Sequence, residues 1–309
     1  MSQSTDQNID VASLVEDVNL KRVGQYTLVV LFLGFFLVPI ETGIMTALKT
    51  NEAVSRTIPF VPPLGNGFTL SNIEYALGRL SNAFVNSLLM AVPATVINVV
   101  LASMAAYGLT MVRWRGQLAL LSLFLIGVFV PYQAVLVPLA RFWNNIFPLA
   151  QMLEPLFATI PLLQGYHSQL VPLIITHVAY GIPICTILFR SYYKGLPNSL
   201  VEAAKIDGSS ITKIYRRIVL PLSKPMFGVV FIYQFTQIYN EFLFSFTLIT
   251  SANNPAAPVT LILPSIGAST SRIDFGIRMS AAFLAALPTI LLYVAFAEQF
   301  TKGLRTESG

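Results

Sequence analysis

Six runs of this 309-residue chain are each long and apolar enough to cross a bilayer. They cover residues 26–47, 84–111, 118–139, 170–189, 226–249 and 279–300. A helical span needs about 20 apolar residues at a rise of about 1.5 Å each. A backbone in lipid must also satisfy its own hydrogen bonds, which a helix does. The expected class is therefore all-α, a polytopic membrane protein with six transmembrane helices. Composition agrees. Hydrophobic residues make up 55% of the chain and charged residues 11%, against roughly 25% in soluble proteins. The first 23 residues are polar and mildly acidic, and the first apolar run is too long for a cleavable signal, so it is read as a retained span.

Several runs contain proline, at Pro39, Pro93, Pro131, Pro138, Pro183 and Pro288. A membrane helix tolerates proline where neighbours re-satisfy the freed carbonyl, so kinked, closely packed helices are expected. The net charge of +5 calls for a topological reading before a nucleic-acid one. With the N-terminus inside, the inner segments collect Lys21, Arg22, Arg113, Arg115, Arg190, Lys194, Lys205, Lys213, Arg216, Arg217, Lys224, Lys302 and Arg305. The outer segments hold only Lys49, Arg56, Arg79, Arg141, Arg272 and Arg278. Both termini are therefore expected in the cytoplasm. The expected division is a cytoplasmic tail at 1–25, a membrane domain at 26–300 with a cytoplasmic loop at 190–225, and a second tail at 301–309.

Catalytic chemistry is hard to place in this chain. Cys185 is the sole cysteine, so no disulfide can form within the chain. His167 and His177, with that one thiol, make no recognisable zinc site, and no metal is expected. A G-x-x-x-x-G-K-[ST] phosphate loop, a G-x-S-x-G elbow and a His-Glu-x-x-His helix are all missing from the sequence. The chain is not read as an enzyme, and no cofactor is expected on it.

One polar island stands between two apolar runs, at residues 198–225: NSLVEAAKIDGSSITKIYRRIVLPLSKP. Ser199 and Glu202 have capping-box spacing, which predicts the start of a short helix. Gly208 sits where that helix would end by turning left-handed. Ser209 or Ser210 can cap a second helix through Ile211, Ile214, Tyr215 and Ile218, with Pro221 and Pro225 as its expected stops. Read from these residues alone, the island is a joining loop with two short helices.

The whole string is more specific. Glu202-Ala203-Ala204, then Asp207-Gly208, then Ile218 with Leu220-Pro221, resembles the EAA loop of ABC-type importer permeases, with the family's spacing and no gap. In that family the loop is the coupling helix, which docks on a separate ATP-hydrolysing subunit. The resemblance extends over about residues 84–304. Ala105-Ala106-Tyr107-Gly108-Leu109 is similar to a second conserved region, where small residues suit close helix packing. Tyr239-Asn240-Glu241-Phe242-Leu243 resembles a motif of carbohydrate permeases, and Phe300-Thr301-Lys302-Gly303-Leu304 is similar to their C-terminal segment. The resemblance implies a second, homologous permease subunit, a pair of ATP-binding subunits that carry the ATP, and an extracytoplasmic sugar-binding protein. It implies no nucleic acid. The place is the inner or plasma membrane of a prokaryote. The implied substrate is a carbohydrate, with a monosaccharide such as glucose or mannose, or an oligosaccharide, as the expectation.

The fifth run carries the polar residues. Gln234, Gln237 and Glu241 are spaced by three and four, which predicts one shared helix face, with Tyr233 and Asn240 on an adjacent stripe. A carboxylate in hydrocarbon is costly and should face the bundle interior or water. Two readings stand: a lining for the translocation pathway, or a structural network or interfacial group. Outside the spans, residues 72–80 are expected as a short surface helix. Arg113-Trp114-Arg115-Gly116 is expected as a tight basic turn anchored at headgroup depth. Residues 141–169 are too broken by Pro148, Pro155 and Pro161 to cross. They are expected as an interfacial or re-entrant piece on the outer face, or as an insertion without a role. Residues 250–278 are read either as a loop reaching a docked binding protein or as a plain connector. The rival to an ATP-driven importer is an ion-coupled secondary transporter, which would need paired membrane carboxylates or repeated broken helices. Glu241 stands nearly alone, and no internal repeat is evident.

Overall fold

The computed structural model describes residues 20–112, 114–268 and 273–297. Arg113, Ser269-Thr270 and both expected tails beyond those limits, including Phe300–Leu304, lie outside the described residues. Among the described residues the regular structure is helical, with two isolated bridges, Lys49 with Phe68 and Ala268 with Ile273. The chain is an all-α polytopic membrane protein, as its apolar runs require.

The long helices are α1 (Leu20–Ala47) and α2 (Ser71–Thr110). A broken pair follows, α3 (Gln117–Val128) and α4 (Tyr132–Arg141), then the short α5 (Leu149–Phe157) and the long α6 (Leu170–Lys194). The polar island forms α7 (Asn198–Ile206) and α8 (Ile211–Ile214). Next come α9 (Lys224–Tyr239), α10 (Leu243–Ile249) and α11 (Phe275–Ala295). Among the described residues four continuous helices are long and apolar enough to span, and two bent pairs bring the total to as many as six.

Several boundaries differ from the sequence expectation. The second run begins at Ser71, so residues 72–80 are the first turns of α2 and not a separate surface helix. Asn72, Ala76, Leu80 and Ala83 repeat at helical spacing along the buried face of α2, and that face continues unbroken into the span. The third run is not one helix: α3 stops at Val128 and the chain turns by 95° before continuing. Pro131 supplies the cause, because it cannot donate to a helical ladder and pushes Val130 away from helical geometry. The fifth run also breaks: α9 ends at Tyr239, residues 240–242 are irregular, and α10 resumes at Leu243. Pro39, Pro93, Pro183 and Pro288 lie inside continuous helices.

The centre of the bundle is the pair α2 and α6, with α9 packed against both and α11 against α2. One apolar cluster sits at the end carrying the basic island (Ala102, Ala106, Phe189, Tyr193, Ile214, Val230). A second joins α2, α6, α9 and α10 further along (Met90, Leu173, Phe235, Tyr239, Phe244). A third seats α11 on the start of α2, through Leu80, Ala83, Val259 and Ala281. By contrast, α1 is almost unpartnered. Phe35 is 73% exposed and Phe36 65%, and only its last turns meet α11, where Gly43 faces the Phe283 ring.

At the end away from the basic island, side-chain amides tie segments to helices. Asn72 Nδ2 donates to the carbonyls of Ala47 (3.0 Å) and Lys49 (2.8 Å). Asn86 Nδ2 donates to Pro255 O (2.8 Å) and Ala257 O (3.1 Å), and Ser87 Oγ accepts from Val259 N–H (2.8 Å). Residues 255–261 are thus folded into the bundle, with Ala256 and Ala257 fully buried, so this stretch is more than a plain connector. Residues 141–169 form only short pieces, the wide turn Phe142–Ile146, α5 and the tight turn Gly165–Gln169. Trp143 anchors them by donating Nε1–H to Thr176 Oγ1 at 3.0 Å.

Candidate functional site: a basic-end loop and a tyrosine-lined face

The basic-end loop has a defined shape. α7 begins at Asn198 with Pro197 as its N-terminal flank, and no side chain caps it. The expected capping box of Ser199 and Glu202 does not form, because Ser199 already lies inside the first turn. Pro197 has its φ preset for this position, and its carbonyl accepts the Leu200 N–H at 3.3 Å. The C-terminus follows expectation. Gly208 has φ +71°, and its N–H reaches Lys205 O (3.0 Å) while the Ser209 N–H reaches Ala204 O (2.9 Å). Ser210 then caps α8, its Oγ accepting from the Lys213 N–H at 3.3 Å.

The prolines act differently from the expectation. Pro221 does not stop the second helix. The chain widens into a π-turn at Tyr215–Val219 and continues through Leu220–Leu222. A widened turn accommodates a residue that has no N–H to give and whose ring crowds the preceding turn. The break falls at Ser223, where the axis bends by 76°, and Pro225 lies in the first turn of α9.

Two faces of the loop are chemically distinct. Val201 is buried and Ala204 half-buried against the bundle, with Ile218 and Leu220 also half-buried. Glu202, Ala203, Asp207, Gly208 and Pro221 are exposed, and Ile206 is 87% exposed. Hydroxyls hold the inner face. Tyr107 donates to Ile211 O at 2.9 Å. Ser103 Oγ lies 2.6 Å from the Tyr193 hydroxyl and 2.7 Å from the Tyr215 hydroxyl. Ser103 and Tyr193 lie outside the motifs of the sequence, and only the meeting of three separate helical segments brings them to Tyr107 and Tyr215.

The polar residues of the fifth run divide into two sets. Gln234 and Glu241 are buried, at 4% and 8% exposure, whereas Gln237 and Asn240 are exposed and Tyr233 half-buried. The expected single face of Gln234, Gln237 and Glu241 is therefore not present, since α9 has ended before Glu241. Gln234 Oε1 accepts from Cys185 Sγ at 3.3 Å, and its amide crowds Gly181 beside that of Asn98. Asn98 Nδ2 donates to His177 O at 3.1 Å. Both Glu241 carboxylate oxygens accept the Phe244 N–H at 3.0 Å, so Glu241 caps the start of α10. Its Oε2 lies 3.8 Å from His177 Nε2.

The exposed set faces a different surface. Gln237 Nε2 donates to the Tyr233 hydroxyl at 3.3 Å, and Asn240 Nδ2 to Thr236 O at 2.9 Å. Tyr233 lines a cavity of about 300 Å³ at the Pro131 break, together with Tyr132, Tyr180, Gly127 and Ile184. Tyr132 meets Tyr180 edge-on with ring centres 4.9 Å apart. Rings beside amides suit a hydroxyl-rich solute, which can lie on an aromatic face and exchange hydrogen bonds at its edge. Tyr132 and Tyr180 carry no sequence motif; the one local signal is Pro131, which stands directly before Tyr132 inside an apolar run.

Comparison with known proteins places this architecture. A family profile described as "Binding-protein-dependent transport system inner membrane component" matches residues 98–306. The xylose/arabinose import permease protein of Haloferax volcanii is 76% identical over 309 residues, covering all of both chains. A probable ABC transporter permease protein of Pyrococcus horikoshii is 36% identical over 281 residues, 90% of this chain and 93% of that one. Among solved structures, a bacterial ABC transporter involved in import of the acidic polysaccharide alginate has a similar fold, with TM-score 0.72 and 15% identity over 91% of this chain and 96% of that one. The chain belongs to the family of binding-protein-dependent transport system inner membrane components, the membrane permeases of ABC transporters, which are transport components and not enzymes.

Proposed function

We propose that the chain is the permease subunit of an ATP-driven importer of monosaccharides, with pentoses the first candidates. The observation that carries this reading is the 76% identity, end to end, with a permease named for xylose and arabinose import. A glucose import system permease protein of Saccharolobus solfataricus, 26% identical over 89% of this chain and 90% of that one, supports the wider sugar class. The test is uptake of labelled xylose, arabinose and glucose by a strain lacking the gene, with and without its restoration. Restored xylose or arabinose uptake is the expected result; unchanged uptake of all three sugars would overturn the reading.

Sugar would pass along the exposed set of Tyr233, Gln237 and Asn240, beside Tyr132 and Tyr180. Gln234 and Glu241 act from within the subunit, by locking α6 to α9 and by capping α10. The facing wall belongs to a second permease subunit. The lone helix α1 supports this, because an apolar helix with so few contacts in its own chain gains packing only from lipid or a second chain. Energy enters at the basic end, proposed as cytoplasmic. There Glu202, Ala203, Asp207, Gly208 and Ile206 offer an exposed surface for an ATPase subunit, and ATP resides on that subunit. Ala204, Ile218 and Leu220 shape the loop beneath, with Pro221 exposed at its far end. An extracytoplasmic sugar-binding protein delivers the solute at the opposite end. Reporter fusions after Ser209 and after Asn254 should read cytoplasmic and external respectively, and a cytoplasmic signal after Asn254 would reverse the orientation.

A further inference from the structure

We infer that Ser103, Tyr193 and Tyr215 form the point at which motion of the basic-end loop is handed to the bundle. This rests on the coupling role proposed for that loop. The three hydroxyls come from three segments: Ser103 from α2, Tyr193 from the end of α6, and Tyr215 from the π-turn that follows α8. Ser103 is the centre, 2.6 Å from one phenol oxygen and 2.7 Å from the other. A serine hydroxyl has one proton and two lone pairs, so it can donate to one phenol and accept from the other. Ser103 and Tyr193 are fully buried, and the surroundings are Ala102, Ala106, Phe189, Val219 and Val230.

That setting decides what the node does. The Ser103–Tyr193 bond is buried away from water and has no solvent competitor, and the Ser103–Tyr215 bond is partly buried; breaking a buried bond leaves a polar atom unpaired at a cost of about 1–3 kcal/mol. The loop therefore cannot slide past α2 and α6 freely. α2 and α6 are the central pair of the bundle, so a pull on Tyr215 acts on both at once. A second tie runs parallel, with the Tyr107 ring tilted against the Tyr215 ring at 5.1 Å and its hydroxyl on Ile211 O. By contrast, the outward face of α7 makes few contacts with the bundle; among the described residues its Lys205 Nζ reaches Met111 O only at 3.5 Å. The inner end of the loop is fastened and the outer end is open, as a lever requires. Ser103, Tyr193 and Tyr215 are positioning residues in this scheme and touch neither sugar nor ATP.

The test uses the assembled transporter in proteoliposomes, with sugar uptake and ATP hydrolysis measured on the same preparation. Tyr215→Phe and Ser103→Ala keep the packing and remove hydroxyls. The expected result is ATPase subunits retained on purification, hydrolysis continuing, and sugar moved per ATP falling about tenfold. Ser103→Thr, which keeps a hydroxyl, should restore most of that ratio. Thermal unfolding separates this from loss of stability alone, since a purely structural role lowers Tm and scales uptake and hydrolysis down together. An unchanged ratio in both hydroxyl-deleting variants would overturn the inference. Gly208→Val is the control for the underlying reading. It forces a β-branched residue to φ +71° and should shed the ATPase subunits. If Gly208→Val keeps both docking and uptake, the coupling role of the loop fails, whatever the hydroxyl variants do.

Discussion

Gly181 shows how one residue sets the distance between three helices. A Cβ built there meets the amide nitrogens of Gln234 and Asn98 and the Asn98 carbon at 2.7 Å. It is flanked on its own face of α6 by His177 and Cys185, at spacings of four, so the stripe 177, 181, 185 is where α2 and α9 close on α6. Gly181→Ala should push the two amides off their partners. Overpacking of a core commonly costs about 1–3 kcal/mol, and a fall in Tm of the purified chain is the expected result. An unchanged Tm with unchanged uptake would show that the amides can move aside freely. None of this was legible beforehand. A glycine in an apolar run says nothing about what faces it, whereas Gly208 was legible because a left-handed turn between two helical patterns leaves a local trace. The cap was misplaced for the same reason: Ser-x-x-Glu spacing is a local signal, and the neighbouring Pro197 offered a competing start that the structure uses.

Among the elements, the breaks are where the sequence expectation and the structure part. Hydropathy located every long run, because lipid imposes a length that sequence must meet. It could not distinguish a continuous run from one that turns by 95°, since α3 and α4 together read as one apolar stretch long enough to span. Pro39, Pro93, Pro183 and Pro288 stay inside helices, while Pro131 ends one. The break at Pro131 places Tyr132 where its ring meets Tyr180 and Phe244. Pro131→Ala would restore an N–H at that position and remove the restriction on Val130, which favours continuing α3. Extension of α3 would move Tyr132 away from Tyr180 and close the cavity at the break. Uptake should fall at least severalfold at equal amounts of chain in the membrane, with ATPase subunits still bound. Full uptake would mean that packing and not the proline sets the break.

At the scale of the whole molecule, α1 stands apart from the bundle, and a tyrosine-lined face opens at the Pro131 break, between α3, α4, α6 and α9. The face divides the fifth-run residues in a way that a labelling experiment can read. Cys185 is the natural thiol, and Cys185→Ser keeps a donor for Gln234 Oε1, so this background should fold and transport. Single cysteines then replace Tyr233, Gln234, Gln237, Asn240 and Glu241 in the assembled transporter. A small water-soluble thiol reagent is applied with the ATPases free and with them trapped closed. Positions 233, 237 and 240 should react, at rates that change by about tenfold or more between the two states, because alternating access exposes one wall of the pathway at a time. Positions 234 and 241 should react slowly in both, since their side chains are buried within the subunit and held by Cys185 and by the start of α10. Substrate sugar present in excess should protect 233 and 237 before 240, if the tyrosine-lined cavity is where sugar rests. Equal reaction of 234 and 237 in every state would remove the division between wall and lock. Silence at 233, 237 and 240 in an active transporter would send the sugar along the partner subunit instead.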